Sequence, residues 1–488
     1  MGEPQAGAVV EVDPVAQELG ERFREAGHQL YLVGGAVRDA ILGRAPHTDL
    51  DLATSAPPQE TIRLLRAAGV DQLYLMGVKY GTIGARKDGR LLEITTFREE
   101  VYREENRKPV VTFASDIRTD LSRRDFTINA MAIRLPDGAF EDPFGGLKDL
   151  AAKSIDTPLE PEIAFTEDPL RMLRAARFAA QLGFTVVPEV QAAMTAMAGR
   201  LSAVSAERIG AELTKLICSP GPDGPVRGIS VLVDTGVAEQ ILPEVPRLRL
   251  EADEHVRHKD LYQHTLTVLA RATTLEATYG LENDLVVRLA ALLHDIGKPT
   301  TRRVLPDGRV TFHHHEVVGA AMARDRLSAL RFPSAVVSDV SGLVALHLRF
   351  HGYGQAGWTD SAVRRYVRDA GPLLARLHVL TRADCTTRNE AKALRLKRAY
   401  DDLEGRIKAL SAQEELDKIR PDLDGTEIME VLGIPPGPLV GQAKRFLLEL
   451  RIEHGPLGRD RAGRELLRWA EARGLEVPAP PATPPAEG

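Results

Sequence analysis

Cysteine is nearly absent: the 488 residues include two, Cys218 and Cys385, far apart in the chain. That excludes a disulfide framework and a thiolate metal site, and it points to a reducing compartment. Aromatic residues amount to 5%, and no apolar run reaches the roughly 20 residues that cross a bilayer. The acidic N-terminal segment lacks the basic and apolar regions of a secretory signal. A cytoplasmic protein with no membrane partner is therefore expected. The net charge of -6 argues against a general nucleic-acid coat, because phosphate binding draws on Lys and Arg, but it leaves room for local basic faces. No repeat of solenoid period is visible. The one low-complexity segment is the Pro- and Ala-rich stretch from Pro478 to Gly488, for which disorder is expected.

What is present is a chain too long for one ordinary core, so roughly three or four domains are expected. Charged residues make up 27%, with frequent Ala, Leu, Arg and Glu, which favours helices after the first section. The richest stretch runs from Leu30 to Leu52, L-Y-L-V-G-G-A-V-R-D-A-I-L-G-R-A-P-H-T-D-L-D-L. Leu30 to Val33 is apolar and β-prone, and Ala36 to Leu42 reads as a short helix stopped by Gly43. Between them, Gly34 and Gly35 carry no Cβ and let the backbone approach a ligand, and the free amides that follow favour an anion. Asp49 and Asp51 flank Leu50 on the next strand, so their carboxylates share one face while Leu50 and Leu52 enter the core. Adjacent anions need a neutralising partner. Hard oxygen ligands suit Mg²⁺ or Mn²⁺, a pair of which can clamp the attacking and leaving oxygens of a phosphoryl displacement.

Around this stretch, an amphipathic helix is expected from about Val15 to Ala26 and another helix from Thr61 to Ala68. Tyr80 to Phe97 reads as a hairpin about Asp88-Gly89, within which Glu93 by spacing alone is a surface residue paired with a Lys or Arg. Glu99 to Ser122 is polar and aperiodic, which predicts a long mobile loop. It leads into R-R-D-F-T-I-N-A at Arg123 to Ala130, a strand to Leu135, and D-P-F-G-G-L-K-D-L from Asp142, with a turn-rich boundary near Pro158. Thr166 has the character of an N-cap, with Glu167, Asp168 and Pro169 in the first turn of a helix that runs to Gly183. Arg171, Arg174 and Arg177 recur along it every three residues, which taken alone describes a solvated face. A further helix, Ser205 to Ile217, contains E-R-I-G-A-E-L-T-K-L.

The motifs L-V-G-G-A-V-R-D with D-L-D, R-R-D-F-T-I-N-A, D-P-F-G-G-L-K-D-L, E-D-P-L-R-M-L-R-A-A-R-F and E-R-I-G-A-E-L-T-K-L, in this order, resemble the class II CCA-adding tRNA nucleotidyltransferases of the polymerase beta superfamily. The resemblance covers the chain from about Leu30 to its C-terminal region. It implies an α+β fold, with a small N-terminal nucleotidyltransferase sheet followed by a mostly helical neck and body. It also implies a template-independent enzyme that adds or repairs the CCA at the tRNA 3′ end from CTP and ATP, releasing pyrophosphate. In such an enzyme Asp49 and Asp51 would hold Mg²⁺, with Glu93 as a third catalytic carboxylate. Gly34, Gly35 and Arg38 would contact the triphosphate, and Arg124, Asp125 and Asn129 would serve nucleotide and ribose recognition. Asp168 and Arg171 would pair with the incoming base, supported by Arg174 and Arg177. The chemistry is coherent: cytosine and adenine each set an amino donor beside an acceptor ring nitrogen, which a carboxylate next to a guanidinium complements, whereas uracil and guanine do not. The segment at about 99 to 115 resembles the family's flexible loop linked to the switch to ATP, with R-K-P at Arg107 to Pro109 where R-H-P is common.

A second constellation lies downstream: His264, His294-Asp295, His315, His347 and Asp384. Leu285 to Leu293 is a hydrophobic helix ending in H-D-I-G-K-P, with Gly297 and Pro299 as stop signals. Imidazoles and carboxylates without thiols suit a divalent metal in a hydrolytic site. The ordered set resembles an HD-type phosphohydrolase domain. That implies His264, His294, Asp295 and Asp384 as ligands of a divalent metal of unknown identity, with His315 and His347 as additions for a second ion. Phosphodiesterase or phosphatase activity and a metal-bearing helical bundle of little turnover both stay open. Beyond it, the basic helix Asn389 to Ala409 suits an RNA backbone or solvent equally, and Gly433 to Gln442 offers a phosphate rest ahead of a helix.

The expected organisation is a catalytic head at 1-160, a base-recognising neck at 161-250, an HD domain at 251-388, a helical tRNA-binding region at 389-477 and a tail at 478-488. A CC-adding enzyme and a bacterial poly(A) polymerase are the alternatives within this chemistry. The full-length loop argues against the first, and the lack of an R-R-F-R-type stretch after the D-L-D strand against the second. From another class, an HD phosphohydrolase with an RNA-binding front domain is the competitor. The oligomeric state is not legible.

Overall fold

The computed structural model describes residues 12–45, 49–101, 110–114, 116–249, 261–352, 358–386, 390–414 and 419–475. The chain divides into two compact units, Met1–Glu251 with Asp325–Ser334, and Ala252–Arg324 with Ala335–Gly488.

In the first unit, helix α1 (Pro14–Glu25) precedes β1 (Leu30–Val33), α2 (Gly35–Ile41), β2 (Asp49–Thr54), α3 (Pro58–Ala67) and the strands β3 (Gln72–Tyr74), β4 (Thr82–Lys87) and β5 (Arg90–Thr96). Then come β6 (Arg98–Val101), β7 (Val110–Phe113), α4 (Ile117–Ser122), β8 (Ala132–Leu135) and β9 (Phe140–Glu141). Seven of these strands form one sheet in the order β3-β4-β5-β2-β1-β8-β9. Its β2–β5 pair is parallel and the others are antiparallel. The all-apolar β1 is buried along its whole length, as a central strand covered on both faces should be. Its neighbour β2 alternates: Asp49 and Asp51 are exposed, Leu50 and Leu52 buried. Helix α1, capped by Asp13, buries Val15, Leu19 and Phe23 at one-turn spacing. Gly20 lets it sit close, since a Cβ there would lie 2.5 Å from Leu135 Cβ. Along the face that carries the aspartates, α4 contributes Ile117 and Leu121 to a cluster with Tyr31, Val33 and Ala53. That cover stops short of Asp49 and Asp51, which remain exposed.

Two expectations are corrected here. The long loop proposed for Glu99 to Ser122 contains a hairpin, with Arg98 opposite Phe113 and Val101 opposite Val110, and then α4. The β-branched run Val110-Val111-Thr112 favours pairing, and Asp116 caps α4 by accepting from the Arg118 amide. Arg107 to Pro109 lies outside the described residues. Nor is Thr166 an N-cap: it falls within α6 (Pro161–Glu167), which follows α5 (Gly146–Ala152), and a new helix, α7 (Arg171–Leu182), starts afterwards. Asp168 between them is extended, at φ -141° and ψ 100°. Pro169 is the cause, because its ring disfavours a helical residue before it and it has no N–H to continue the ladder. The unit continues through α8 (Pro188–Met197) and α9 (Ala206–Ile217), whose N-cap is Ser205.

Among the described residues, the regular structure of the second unit is helical apart from a short hairpin. Its helix Leu285–Leu293 buries Val286 through Leu293, and its one charged member, Arg288, is paired with Glu276. Helices Leu261–Leu275 and Leu374–Asp384 pack against it. Three further helices, Gly425–Leu432, Pro438–His454 and Arg459–Glu471, share a core that includes Leu423, Ile428, Leu447 and Leu466. Among the described residues no helix is long and apolar enough to cross a membrane.

Candidate functional site

Strand register assembles the first cluster. In the parallel β2–β5 pair, Leu91 stands opposite Asp49 and Glu93 opposite Asp51. Burial, together with the charge of Asp51, raises the Glu93 carboxyl above the usual range, and Arg98 opposes that rise. Glu93 thus stands opposite Asp51 on the neighbouring strand, with its side chain exposed. Oxygen-only donors on one face of neighbouring strands are of the type that suits a hard divalent cation. The glycine turn faces the same cluster: Gly34 has φ +74°, and a Cβ on it would lie 3.1 Å from Arg124 Nη1 and 3.7 Å from Asp51 Oδ2. Only glycine leaves that approach open and tolerates the conformation.

Behind the turn runs a chain of paired groups. Arg38 Nε and Nη2 donate to the Asp39 carboxylate at 2.9 and 2.8 Å, and Nη1 donates to Asn129 Oδ1 at 2.7 Å. Asn129 Nδ2 donates to Asp125 Oδ1 at 2.9 Å, and Asp125 Oδ2 meets Arg174 at 2.6 Å. Arg38, Asp39, Asp125 and Asn129 are all buried, so the chain is held rigidly. Burial alone would push the Asp125 carboxyl up, but the Arg174 charge and the Asn129 hydrogen bond hold it below the ordinary range. Asp120 is likewise buried and depressed: Arg124 at 3.2 Å and Arg123 at 2.7 Å outweigh its desolvation.

The break between α6 and α7 sets the remaining side chains. Asp168 accepts from Arg208 Nη2 at 2.7 Å and from the Leu170 amide at 3.1 Å. Arg171 donates to Glu167 at 2.9 Å and to the carbonyls of Ala164 and Arg123. Asp168 and Arg171 therefore adjoin through a turn, not along one helical face. The arginine stripe is not solvated either, since Arg171 and Arg177 are buried. Arg177 donates to Glu212 Oε2 at 2.6 Å and to Gln181 at 2.9 Å, and its guanidinium lies 4.0 Å from the Phe178 ring centroid. Burial lowers its pKa against the pull of Glu212. Sequence reasoning passed over Arg208 and Glu212. Their signal was present in E-R-I-G-A-E, where opposite charges four apart on α9 face the stripe on α7.

In the second unit two triads converge: His264, His294 and Asp384, and Asp295, His315 and His347, with the ligand atoms of each triad within 4.8 Å of one another. Asp295 joins them. Its Oδ2 faces His294 at 3.3 Å and His264 at 3.6 Å, while its Oδ1 faces His315 at 3.4 Å and His347 at 3.9 Å. His294, His315 and His347 share one device, in which Nδ1 meets the carbonyl three residues back, at 2.9, 2.8 and 2.6 Å respectively. An Nδ1–H donating there turns the Nε2 lone pair inward. Those three Nε2 atoms are buried without a hydrogen-bond partner, as metal ligands would be. Burial pushes His347 down to about 3, so it is neutral and able to ligate. Burial would raise the Asp295 carboxyl, yet His294, His315 and Lys298 hold it well below the ordinary value. Lys298, whose Nζ lies 2.6 Å from Asp295 Oδ2, is a third residue that sequence reasoning missed; one helical turn past Asp295 in H-D-I-G-K is the available signal.

Comparisons with known proteins identify the family. Residues 30–156 match the poly A polymerase head domain, 183–248 the probable RNA and SrmB-binding site of polymerase A, and 261–389 the HD domain. The A-adding tRNA nucleotidyltransferase of Deinococcus radiodurans is 34% identical over 90% of this chain and 95% of that enzyme. The CC-adding tRNA nucleotidyltransferase of Thermus thermophilus is 32% identical over 93% and 96%. A CCA-adding enzyme of Levilactobacillus brevis is 39% identical, over 56% of this chain and 66% of that one. In fold, the Bacillus stearothermophilus CCA-adding enzyme in complex with CTP superposes with a TM-score of 0.66 at 25% identity, covering 95% of this chain and 99% of that one. With relatives aligned along almost their whole length, a sheet that sets Asp51 beside a glycine turn with Glu93 in register, and an HD centre downstream, the chain belongs to the class II CCA-adding tRNA nucleotidyltransferase family.

Proposed function

We propose that the chain adds or repairs the terminal CCA of tRNA from CTP and ATP, without a nucleic-acid template. The observation that carries this is the Asp51–Glu93 register beside Gly34, where the absent Cβ leaves the backbone facing both the Asp51 carboxylate and the Arg124 guanidinium. Asp49, Asp51 and Glu93 would hold Mg²⁺, which supplies charge neutralisation for an in-line displacement. The Gly34-Gly35 turn admits the triphosphate, and Arg124 faces it. Arg38, Asn129, Asp125 and Arg174 keep the nucleotide's ribose side rigid. Asp168 accepts from the amino group of cytosine or adenine and Arg171 donates to the adjacent ring nitrogen. Arg171 retains donors for this, because a guanidinium carries five N–H groups. The tRNA 3′ hydroxyl attacks the α-phosphorus and pyrophosphate leaves. In this reading residues 1-160 form the head, 161-250 the neck, 251-388 the HD domain and 389-477 a tRNA-binding region.

The test supplies tRNAs ending before CCA, after C and after CC, with CTP and ATP separately and together, and sequences the 3′ ends. Ordered CCA addition, lost in Asp49→Asn and Asp51→Asn, is expected. A second reading has its own support: two relatives aligned over 90% and 93% of this chain are named for A-addition and CC-addition separately. Extension of only one class of tRNA end would establish it. For the HD centre we propose hydrolysis of a phosphoester, supported by the two facing triads. Phosphate release from a 2′,3′-cyclic nucleotide, measured with several divalent metals, should vanish in the His294→Ala, Asp295→Ala double variant. Equal background in both proteins rejects it.

A further inference from the structure

The row that carries Asp51 and Glu93 continues across the sheet. Gly84 of β4 stands opposite Glu93, and Tyr74 of β3 opposite Gly84. Directly opposite residues on neighbouring strands point to the same face, so Tyr74 shares the face of the carboxylates. Its ring leans back over Gly84, where a Cβ would meet Tyr74 Cβ at 3.1 Å and Cδ2 at 3.3 Å. Glycine inside a strand marks such a close approach. The hydroxyl donates to Gln72 Oε1, which fixes the ring's direction. Yet 44% of Tyr74 is exposed, and Leu91 on the same face, with Leu75, Met76 and Tyr80 just beyond, is exposed as well. Arg86, two residues from Gly84 and also exposed, adds a cation to this face.

We propose that Tyr74 is the stacking platform for the 3′-terminal nucleobase of the RNA being extended, with Arg86 near its backbone phosphate. The inference rests on the catalytic reading of Asp49 and Asp51 given above. Three observations select this occupant. The platform is continuous with the carboxylate row, and Gly84 is two strands from Asp51, about 10 Å at ordinary strand spacing. That is the order of span from the group handling a 3′ hydroxyl to that nucleotide's own base. In the proposed function the incoming base is read by Asp168 and Arg171, which leaves the ring for the acceptor. Finally, the terminal base changes as the 3′ end grows; a hydrogen-bonding pocket would fit one base and reject the next, whereas an aromatic face accepts any.

The experiment places 2-aminopurine, whose fluorescence falls on stacking, at the 3′ terminus of a tRNA ending before CCA. It is titrated with the full chain in the absence of CTP and ATP. Wild type and Tyr74→Phe should quench it, and Tyr74→Ala should not. In steady state, Tyr74→Ala should raise the KM for tRNA about tenfold, the size expected for one lost base–aromatic stack, with the KM for CTP unchanged. The half-exposed ring can be truncated without opening a cavity, and circular dichroism verifies the fold. Equal quenching by Tyr74→Ala overturns the proposal. So does a rise in the KM for CTP instead of tRNA, or a Tyr74→Phe protein that behaves like Tyr74→Ala. Because the fluorescence arm needs no turnover, Asp51→Asn should quench normally while losing activity. A failed platform and a failed catalytic assignment are therefore read separately.

Discussion

Glu212→Ala tests whether the neck is held by paired charges. Arg177 is 9% exposed and Glu212 8%, with 2.6 Å between Nε and Oε2. Removing one partner of a buried pair leaves an uncompensated charge, at a cost of roughly 3–5 kcal/mol. Here Gln181 Oε1 at 2.9 Å and the Phe178 face remain for the guanidinium, which offsets about 1–2 kcal/mol. A net destabilisation of about 2–3 kcal/mol is expected, a large part of the roughly 5–15 kcal/mol of an ordinary domain. Hydrogen exchange of the α7 and α9 amides reads it locally, as a drop in opening free energy. Glu212→Gln, which keeps an acceptor, should lose less. Arg177→Met combined with Glu212→Leu should also lose less than Glu212→Ala, because no charge is left buried. A change under about 1 kcal/mol, or a double variant worse than the single one, would refute the reasoning.

Arg208→Ala should change stability by no more than about 1 kcal/mol, because the Arg208 side chain is half exposed. It should nonetheless raise the KM for both CTP and ATP, since Asp168 loses the group that orients it; unchanged nucleotide kinetics would dismiss that role. Asp120 and Asp125 make acid stability testable. Their folded pKa values lie below the unfolded ones, so their contribution is fully present above about pH 4 and is lost as pH falls through the folded values. Asp120→Asn should therefore be less stable than wild type at pH 7, with the difference shrinking below pH 4 in urea titrations; a gap that widens on acidification contradicts this sign. Chelation should lower the unfolding midpoint of the second unit, followed through Trp358 and Trp469, and His347→Ala should abolish most of that response. An unchanged midpoint in wild type would argue against a resident metal.

Much of the head was readable because its information is local. Alternation in Asp49-Leu50-Asp51-Leu52 depends only on the strand period, the hairpin about Asp88-Gly89 on turn chemistry, and the HD helix on an apolar run, interrupted by Arg288, that ends at His294. The reading failed where one local rule overruled another. Thr166 has the chemistry of a cap, but Pro169 forbids a helix through Asp168, so the two residues proposed to read the base meet across a bend. The polar composition of 99–122 concealed β-branched residues that pair once a partner strand is adjacent.

The sequence by itself determined the residue types of both centres, the family they announce, and the strand that presents two carboxylates. Only tertiary structure decided which of those residues meet. It gave Asp168 to Arg208 and Arg177 to Glu212, divided six HD side chains into two triads joined by Asp295, and aligned Glu93, Gly84 and Tyr74 in one row with Asp51. The reason is that periodicity determines the direction of a side chain within its own element. Register between strands, and the approach of one helix to another, depend on packing among residues far apart in the chain.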